Sequence, residues 1–215
     1  LIENNLSNTD TCKIITSPFS FAATSSAIEW LGRTPTYSEV DKNGLLDPKK
    51  INIKPGIPTL VLATHVYGNL CNQTELNKVA GAENIIYDAS HCFGVRSDKS
   101  FWELGFASTV SFHATKVFTT GEGGAIIFAS KESEQLARKL INFGITNERE
   151  IIPHGINGKM SELHAALGLS NLENIDEALT LRRDVGSYYK SLLNFCDYRL
   201  VILDNKNHQS NFGYF

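Results

Sequence analysis

Ile85-Ile-Tyr-Asp-Ala-Ser-His91, Thr109-Val-Ser-Phe-His-Ala-Thr-Lys116 and Gly121-Glu-Gly-Gly124 decide how this chain folds. In the first two, a short apolar run gives way at once to reactive polar side chains. Runs of that length, rich in β-branched and aromatic residues, read as strands of a largely parallel, buried sheet. In such sheets ligands bind beyond the carboxyl ends of the strands. Asp88 and Lys116 are therefore placed where chemistry happens. A lysine and an aspartate so placed suit pyridoxal phosphate. The amine forms a Schiff base with the cofactor aldehyde, and the carboxylate keeps the pyridine nitrogen protonated so that the ring acts as an electron sink.

On either side of these stretches, apolar runs alternate with amphipathic ones, which predicts an α/β layered fold. Strands are expected at Lys13–Thr16, Thr34–Ser38, Thr59–Thr64, Asn84–Tyr87, Thr109–Phe112 and Ala125–Phe128. Helices are expected at Ser20–Leu31, Thr74–Val79, Lys131–Phe143, Ser161–Leu172 and Ile175–Leu193. Asp47-Pro48 reads as an N-cap followed by proline at the first helical position. Ser130 precedes a first turn carrying Glu132 and Glu134, which suits the helix dipole. Asn174 with Glu177 resembles a capping box. Ile175, Leu179, Val185, Tyr188 and Leu192 are spaced to form one buried helix face. The polar stretch 204–210 reads as a linker, and the apolar Asn211-Phe-Gly-Tyr-Phe215 as a strand in need of a partner.

The 215 residues carry 20 Lys and Arg against 23 Asp and Glu, a net charge of −3. That balance gives no reason to expect a nucleic-acid or anionic-membrane partner. No apolar run reaches membrane-spanning length, and Leu1-Ile-Glu-Asn-Asn-Leu shows no signal-peptide pattern. Cys12, Cys71, Cys92 and Cys196 lack metal-ligand spacing and read as free thiols of a cytoplasmic protein. No Gly-x-Gly-x-x-Gly follows a strand, and no Walker loop, His-Glu-x-x-His or Cys-x-x-Cys occurs. Dinucleotide, nucleotide-hydrolysis and zinc chemistry therefore have no support.

Each candidate residue also has a plainer reading. Asp88 alone suits a turn, and Lys116 alone a solvated surface. Their order at successive strand ends, joined by His65 and Tyr67 after the 59–64 run, favours function. Ser111 and Thr115 can donate hydroxyl hydrogen bonds to a phosphate or cap backbone. His91 lies within reach of whatever Asp88 binds. Phe21 can stack on a planar ring or pack in the core. Gly121–Gly124 lets the backbone approach a ligand or another chain, or forms an ordinary hairpin turn.

These stretches closely resemble the DegT/StrS family of PLP-dependent sugar-nucleotide aminotransferases, of aspartate aminotransferase fold type I. The resemblance runs through Pro18-Phe-Ser-Phe-Ala-Ala-Thr24, His65-Val-Tyr-Gly68, Tyr87-Asp-Ala-Ser-His-Cys-Phe-Gly94, Ser111-Phe-His-Ala-Thr-Lys116 and Glu122-Gly-Gly124. It continues through Gly155-Ile-Asn-Gly-Lys-Met-Ser-Glu-Leu-His-Ala-Ala166 and Arg182-Arg183 before Tyr188-Tyr189. The resemblance implies that Lys116 is the Schiff-base lysine and that Asp88 faces the pyridine nitrogen. By the same resemblance Ser111 binds the cofactor phosphate and Phe21 stacks on the ring. His91 stands where many members carry glutamine, near the cofactor's phenolic oxygen, as in the branch acting on 4-keto-6-deoxyhexose nucleotides. Asn157 matches an asparagine that reaches the phosphate of the partner subunit's cofactor, which implies a homodimer with shared sites.

The implied fold is the three-layer large domain of fold type I, a mostly parallel sheet flanked by helices, truncated at both ends. Family members carry a phosphate-binding Ser-Gly-Thr segment before the region matching Leu1, and a small domain after Phe215. Residues 1–195 are expected to form the large domain with its connecting helix, and 196–215 to begin the small one. The implied reaction moves an amino group from glutamate to a nucleotide-linked keto sugar, in amino-sugar and surface-polysaccharide (O-antigen) biosynthesis. Two other readings are a sugar dehydratase of the same fold and an inactive fragment with only an interaction role. Lys116 argues against the first, because such dehydratases carry histidine there.

Overall fold

A computed structural model describes residues 12–97, 100–146, 150–193 and 208–214. Six strands form one sheet: β1 (Lys13–Thr16), β2 (Pro35–Tyr37), β3 (Thr59–Thr64), β4 (Ile85–Asp88), β6 (Ala107–Ser111) and β7 (Gly124–Phe128). Their spatial order is β2-β1-β3-β4-β6-β7. The first five run parallel, and β7 returns antiparallel to β6. The α/β class and the mostly parallel sheet flanked by helices are as the sequence implies. A two-residue β5 (Arg96–Ser97) pairs antiparallel with β8 (His208–Gln209) beside the main sheet.

The core forms because the central strands are apolar on both faces. Ile15, Val61, Ala63, Ile85 and Tyr87 are buried together with Leu46 and Leu76. Leu76 comes from α2 (Gln73–Ala80), which Asn72 caps by accepting from Glu75 N. Tyr87 keeps its hydroxyl satisfied by donating to Asn77 Oδ1 at 3.1 Å. Ala89, Cys92, Val95 and Phe101 make a second cluster just past the end of β4.

The remaining helices are α1 (Ala22–Trp30), α3 (Lys131–Leu140), α4 (Glu162–Leu172) and α5 (Ile175–Leu193). Ser130 caps α3 by accepting from Ser133 N, and Ser161 caps α4 by accepting from His164 N. Asn174 O accepts from Ala178 N at 3.0 Å, the first turn of α5. Asp47 caps only the short 3-10 turn Pro48–Lys50.

Four expectations are corrected. Helix α3 stops at Leu140, and Phe143, expected inside it, has φ of 61°. The strand expected at Thr109–Phe112 lies two residues earlier at one end, because β6 takes its register from β4 and β7. The apolar face of α5 is not buried by the described residues: Val185 is 55% exposed and Tyr188 64%. A 3.6-residue repeat shows that a face is apolar, not what covers it. Finally, residues 208–214, expected as linker and partnerless strand, pack against the loops that follow β4 and β6. The expected domain boundary after residue 195, Cys196 and most of the expected linker lie outside the described residues. Among the described residues no helix is long and apolar enough to cross a membrane.

Candidate active site

Register builds the site. Thr64, Asp88 and Thr109 are aligned across β3, β4 and β6. β3 and β4 therefore end side by side, with β6 running on to Ser111, and the chain leaves each into a polar loop. His65 N donates to Asp88 O, and Ala89 N to Thr109 O, so the exits are hydrogen-bonded to each other.

Asp88 is the centre. Oδ1 accepts from Ser90 Oγ at 2.6 Å and Ser90 N at 3.1 Å. Oδ2 accepts from Thr24 Oγ1 at 2.8 Å. Ser20 Oγ lies 2.6 Å from Thr24 Oγ1 and 3.0 Å from Thr64 Oγ1. A hydroxyl has one proton. Thr24 gives its proton to Asp88, so Ser20 donates to Thr24 and Thr64 donates to Ser20. Three hydroxyls thus point their dipoles down one line at a carboxylate. Thr24 reaches it because Thr24 and Ile28, four residues apart, are the buried face of α1.

His91 is fixed next to it. Tyr67 N donates to His91 Nδ1 at 3.0 Å, so the neutral ring carries its proton on Nε2. Burial lowers the His91 pKa to about 4; the Lys116 charge adds to this and the Asp88 charge opposes it. Tyr67 lies parallel to the imidazole, with centroids 5.8 Å apart. The backbone at Tyr67 is left-handed, φ 55° and ψ 24°. Such a conformation in a bulky residue is held only where its surroundings over-determine it.

Lys116 sits in the loop between β6 and β7. Lys116 N donates to His113 O, and Thr120 N and Thr119 Oγ1 both donate to Phe112 O. Asn171 of α4 ties the loop down by donating to Thr119 O at 2.8 Å. Phe93, Phe112 and Phe118 pack beneath it, with Phe93 and Phe118 stacked 4.4 Å apart. Ser111 Oγ accepts from His113 N at 3.3 Å, which leaves its proton free to donate. Thr115 N and Oγ1 are both engaged by His113 Nδ1.

Phe21 is the residue before α1 and is 76% exposed, so it is not a core residue. Asn157 stands elsewhere, on the loop that pairs with Asn142, and takes a hydrogen bond from Lys159 Nζ at 2.8 Å. The structure thus gathers Asp88, His91 and Lys116 at one sheet edge, with Phe21 three residues before Thr24. No contact joins Asn157 to that group among the described residues. Sequence reasoning did not single out Thr24, Ser90, Ser20 or Tyr214 as site residues. The local signals they left are the i, i+4 pair Thr24 and Ile28 and the Asp88-x-Ser90 spacing, which lets Ser90 reach the carboxylate.

Residues 4–215 match the DegT/DnrJ/EryC1/StrS aminotransferase family. Two relatives are dTDP-4-amino-4,6-dideoxy-D-glucose transaminases. That of Shigella dysenteriae is 39% identical over 209 residues, covering 94% of this chain and 57% of the relative. That of Escherichia coli is 35% identical over 212 residues, covering 95% and 57%. The crystal structure of DesI with its TDP-sugar product superposes with a TM-score of 0.86 at 32% identity, covering 95% of this chain and 53% of that one. The chain spans about half the length of the proteins it matches.

Proposed function

The chain belongs to the DegT/DnrJ/EryC1/StrS aminotransferase family, and on that footing we propose that it forms the cofactor-holding core of a pyridoxal-phosphate-dependent sugar-nucleotide aminotransferase. The observation that carries this is the trio at one sheet edge: a carboxylate met only by donors, an imidazole fixed with its proton on Nε2, and a lysine on a braced loop. The amino donor is glutamate. The acceptor is a dTDP-linked 4-keto-6-deoxyhexose, a class supported by the names of the two bacterial relatives and by histidine at position 91.

The donor set fits the cofactor. A carboxylate suits a protonated ring nitrogen, an N–H donor suits a phenolic oxygen, an amine suits an aldehyde, and the free hydroxyl of Ser111 suits a phosphate. Bound there, pyridoxal phosphate supplies the electron sink for a carbanion next to nitrogen. The chain's own residues do the rest. Asp88 would face the ring nitrogen, with the line of hydroxyls behind it keeping the carboxylate in place. His91 Nε2–H would donate to the phenolic oxygen, and Phe21 would cover the ring. Ser111 would donate to the phosphate, as would Asn157 of a second copy. Lys116 would anchor the cofactor, and its Nζ, when free, would carry the proton to and from the reacting carbon. The protein is a cytoplasmic homodimer acting in amino-sugar supply for surface polysaccharide.

The test uses the full-length protein that carries this sequence. Borohydride reduction with pyridoxal phosphate, followed by peptide mapping, should place the label on Lys116. Glutamate with dTDP-4-keto-6-deoxyglucose should then yield 2-oxoglutarate, and Lys116→Ala should abolish it. A label on another lysine, or no 2-oxoglutarate from the wild type, would overturn the reading.

A further inference from the structure

The segment after the long helix returns to the sheet edge and is seated there by one asparagine. Asn211 is 1% exposed. Its Nδ2 donates to His91 O and to Phe93 O, both at 2.8 Å, while Oδ1 accepts from Gly213 N at 3.0 Å. It thus grips both sides of the His91 turn. Two glycines clear the way. A Cβ on Gly213 would lie 2.7 Å from Val117 Cγ2, the neighbour of Lys116, and one on Gly186 of α5 would lie 2.6 Å from the Phe212 ring. Real Cβ atoms do not come that close, so the fit depends on the missing side chains. Upstream, β8 adds a ladder to β5.

What this segment delivers is Tyr214. Its ring centroid lies 4.6 Å from that of His91 and 4.9 Å from that of Tyr67. Its phenol oxygen accepts from Lys116 Nζ at 3.4 Å, the long end of hydrogen-bond range, from 98 residues further along the chain. A lysine amine on four methylenes has wide freedom. The proton transfers assigned to Lys116 need it held near one place, and positioning of that kind is where much of a rate comes from.

We propose that Tyr214 is a positioning residue for Lys116, its phenol oxygen taking a hydrogen bond from the free Nζ and parking the amine beside His91. This rests on the assignment of Lys116 above. The contact exists only while the amine is free, so it acts in the proton-transfer half of the cycle and not in cofactor capture. The packing of the ring on His91 and Tyr67 is a separate role, and Tyr214→Phe divides the two because it keeps the ring and removes the oxygen.

Two readouts decide it, both on the full-length protein. In the cofactor-free form, acetic anhydride labelling of Lys116, scored by mass spectrometry against the other lysines, should be severalfold faster in Tyr214→Phe, since the amine is no longer engaged. In the loaded form, the single-turnover rate with glutamate should fall about tenfold, the size of one hydrogen bond. The deuterium isotope effect at the donor Cα should rise, and the glutamate KM should hold. Melting temperature should not change. A Tyr214→Phe protein that matches the wild type in labelling and in single turnover would overturn the proposal and leave Tyr214 as packing. If the wild type itself fails to react with glutamate, the aminotransferase reading fails instead, and the labelling readout still decides the contact.

Discussion

The imidazole of His65 is fully buried against Tyr87, stacked at 5.0 Å, and edge-on to Phe101. Its Nδ1 accepts from Cys71 N at 3.0 Å, while Nε2 has no hydrogen-bond partner among the described residues. Burial pushes its pKa down to about 3; the Asp88 charge opposes this and His208 adds to it. The folded pKa thus lies below the ordinary value near 6.5. The unfolded chain takes up this proton first as pH falls, and folding loses stability across the window from 6.5 towards 3. Stability from this group is fully present above 6.5. Within the window its slope is about 1.4 kcal/mol per pH unit. Denaturant unfolding between pH 7 and 4 should show that much extra slope in the wild type over His65→Gln, which keeps an acceptor for Cys71 N. Equal slopes would mean that His65 is not held neutral. At this scale the place of Asp88 and Lys116 at one sheet edge was legible, because Asp88 ends one strand and Lys116 lies in the loop that leaves another. Thr24 and Tyr214 were not, since they meet their partners across 64 and 98 residues of chain. No local pattern encodes such a meeting.

Elements were legible where their signal was local. Strand β3 and helix α5 lie at their expected bounds, and Ser130 caps as its sequence implies. Register and partners were not, because both are decided between elements. That is why β6 begins two residues early and why β8 with its following segment went unrecognised. Helix α4 shows the same limit. Gly168, its one buried position, sits over the lysine loop, where a Cβ would lie 2.7 Å from Thr120 Cγ2. Propensity alone favours alanine in a helix by about 1 kcal/mol. Overpacking against a buried neighbour costs about 1–3 kcal/mol, and Thr120 is only 3% exposed, so it has little room to move. Gly168→Ala should therefore lower the unfolding free energy rather than raise it. In a Thr120→Ser background, which removes that methyl, the same change should stabilise by about 1 kcal/mol. A double-mutant cycle by urea unfolding reads the coupling. If Gly168→Ala is stabilising in both backgrounds, α4 does not press on the loop.

At the scale of the molecule, large apolar side chains stand exposed along one loop and the helix that follows it. Ile151 is 74% exposed, Ile156 61%, Leu163 84% and Leu169 68%. Contiguous apolar patches rimmed by polar groups mark places where another chain sits. Asn157 lies between Ile156 and Leu163 in sequence, and its orientation is set. Lys159 Nζ donates to Oδ1, while its ammonium lies 4.2 Å from the Phe143 ring centroid. The amide NH2 is thereby left free to donate outward. Such a donor suits a phosphate, and among the described residues the site of its own chain makes no contact with it. The expected assembly is a two-fold dimer in which each copy lends Asn157 to the other's site, an isologous arrangement. Lys116→Ala and Asn157→Asp should each be inactive. The first loses the anchoring amine. The second swaps a donor for a carboxylate that repels phosphate. In a mixed dimer one site collects both lesions and the other neither. Mixing the two inactive proteins under conditions of subunit exchange should therefore restore about a quarter of wild-type activity, since half the dimers are mixed and each has one intact site. No recovery, with exchange demonstrated by mass spectrometry, would mean that Asn157 serves its own chain's site or none.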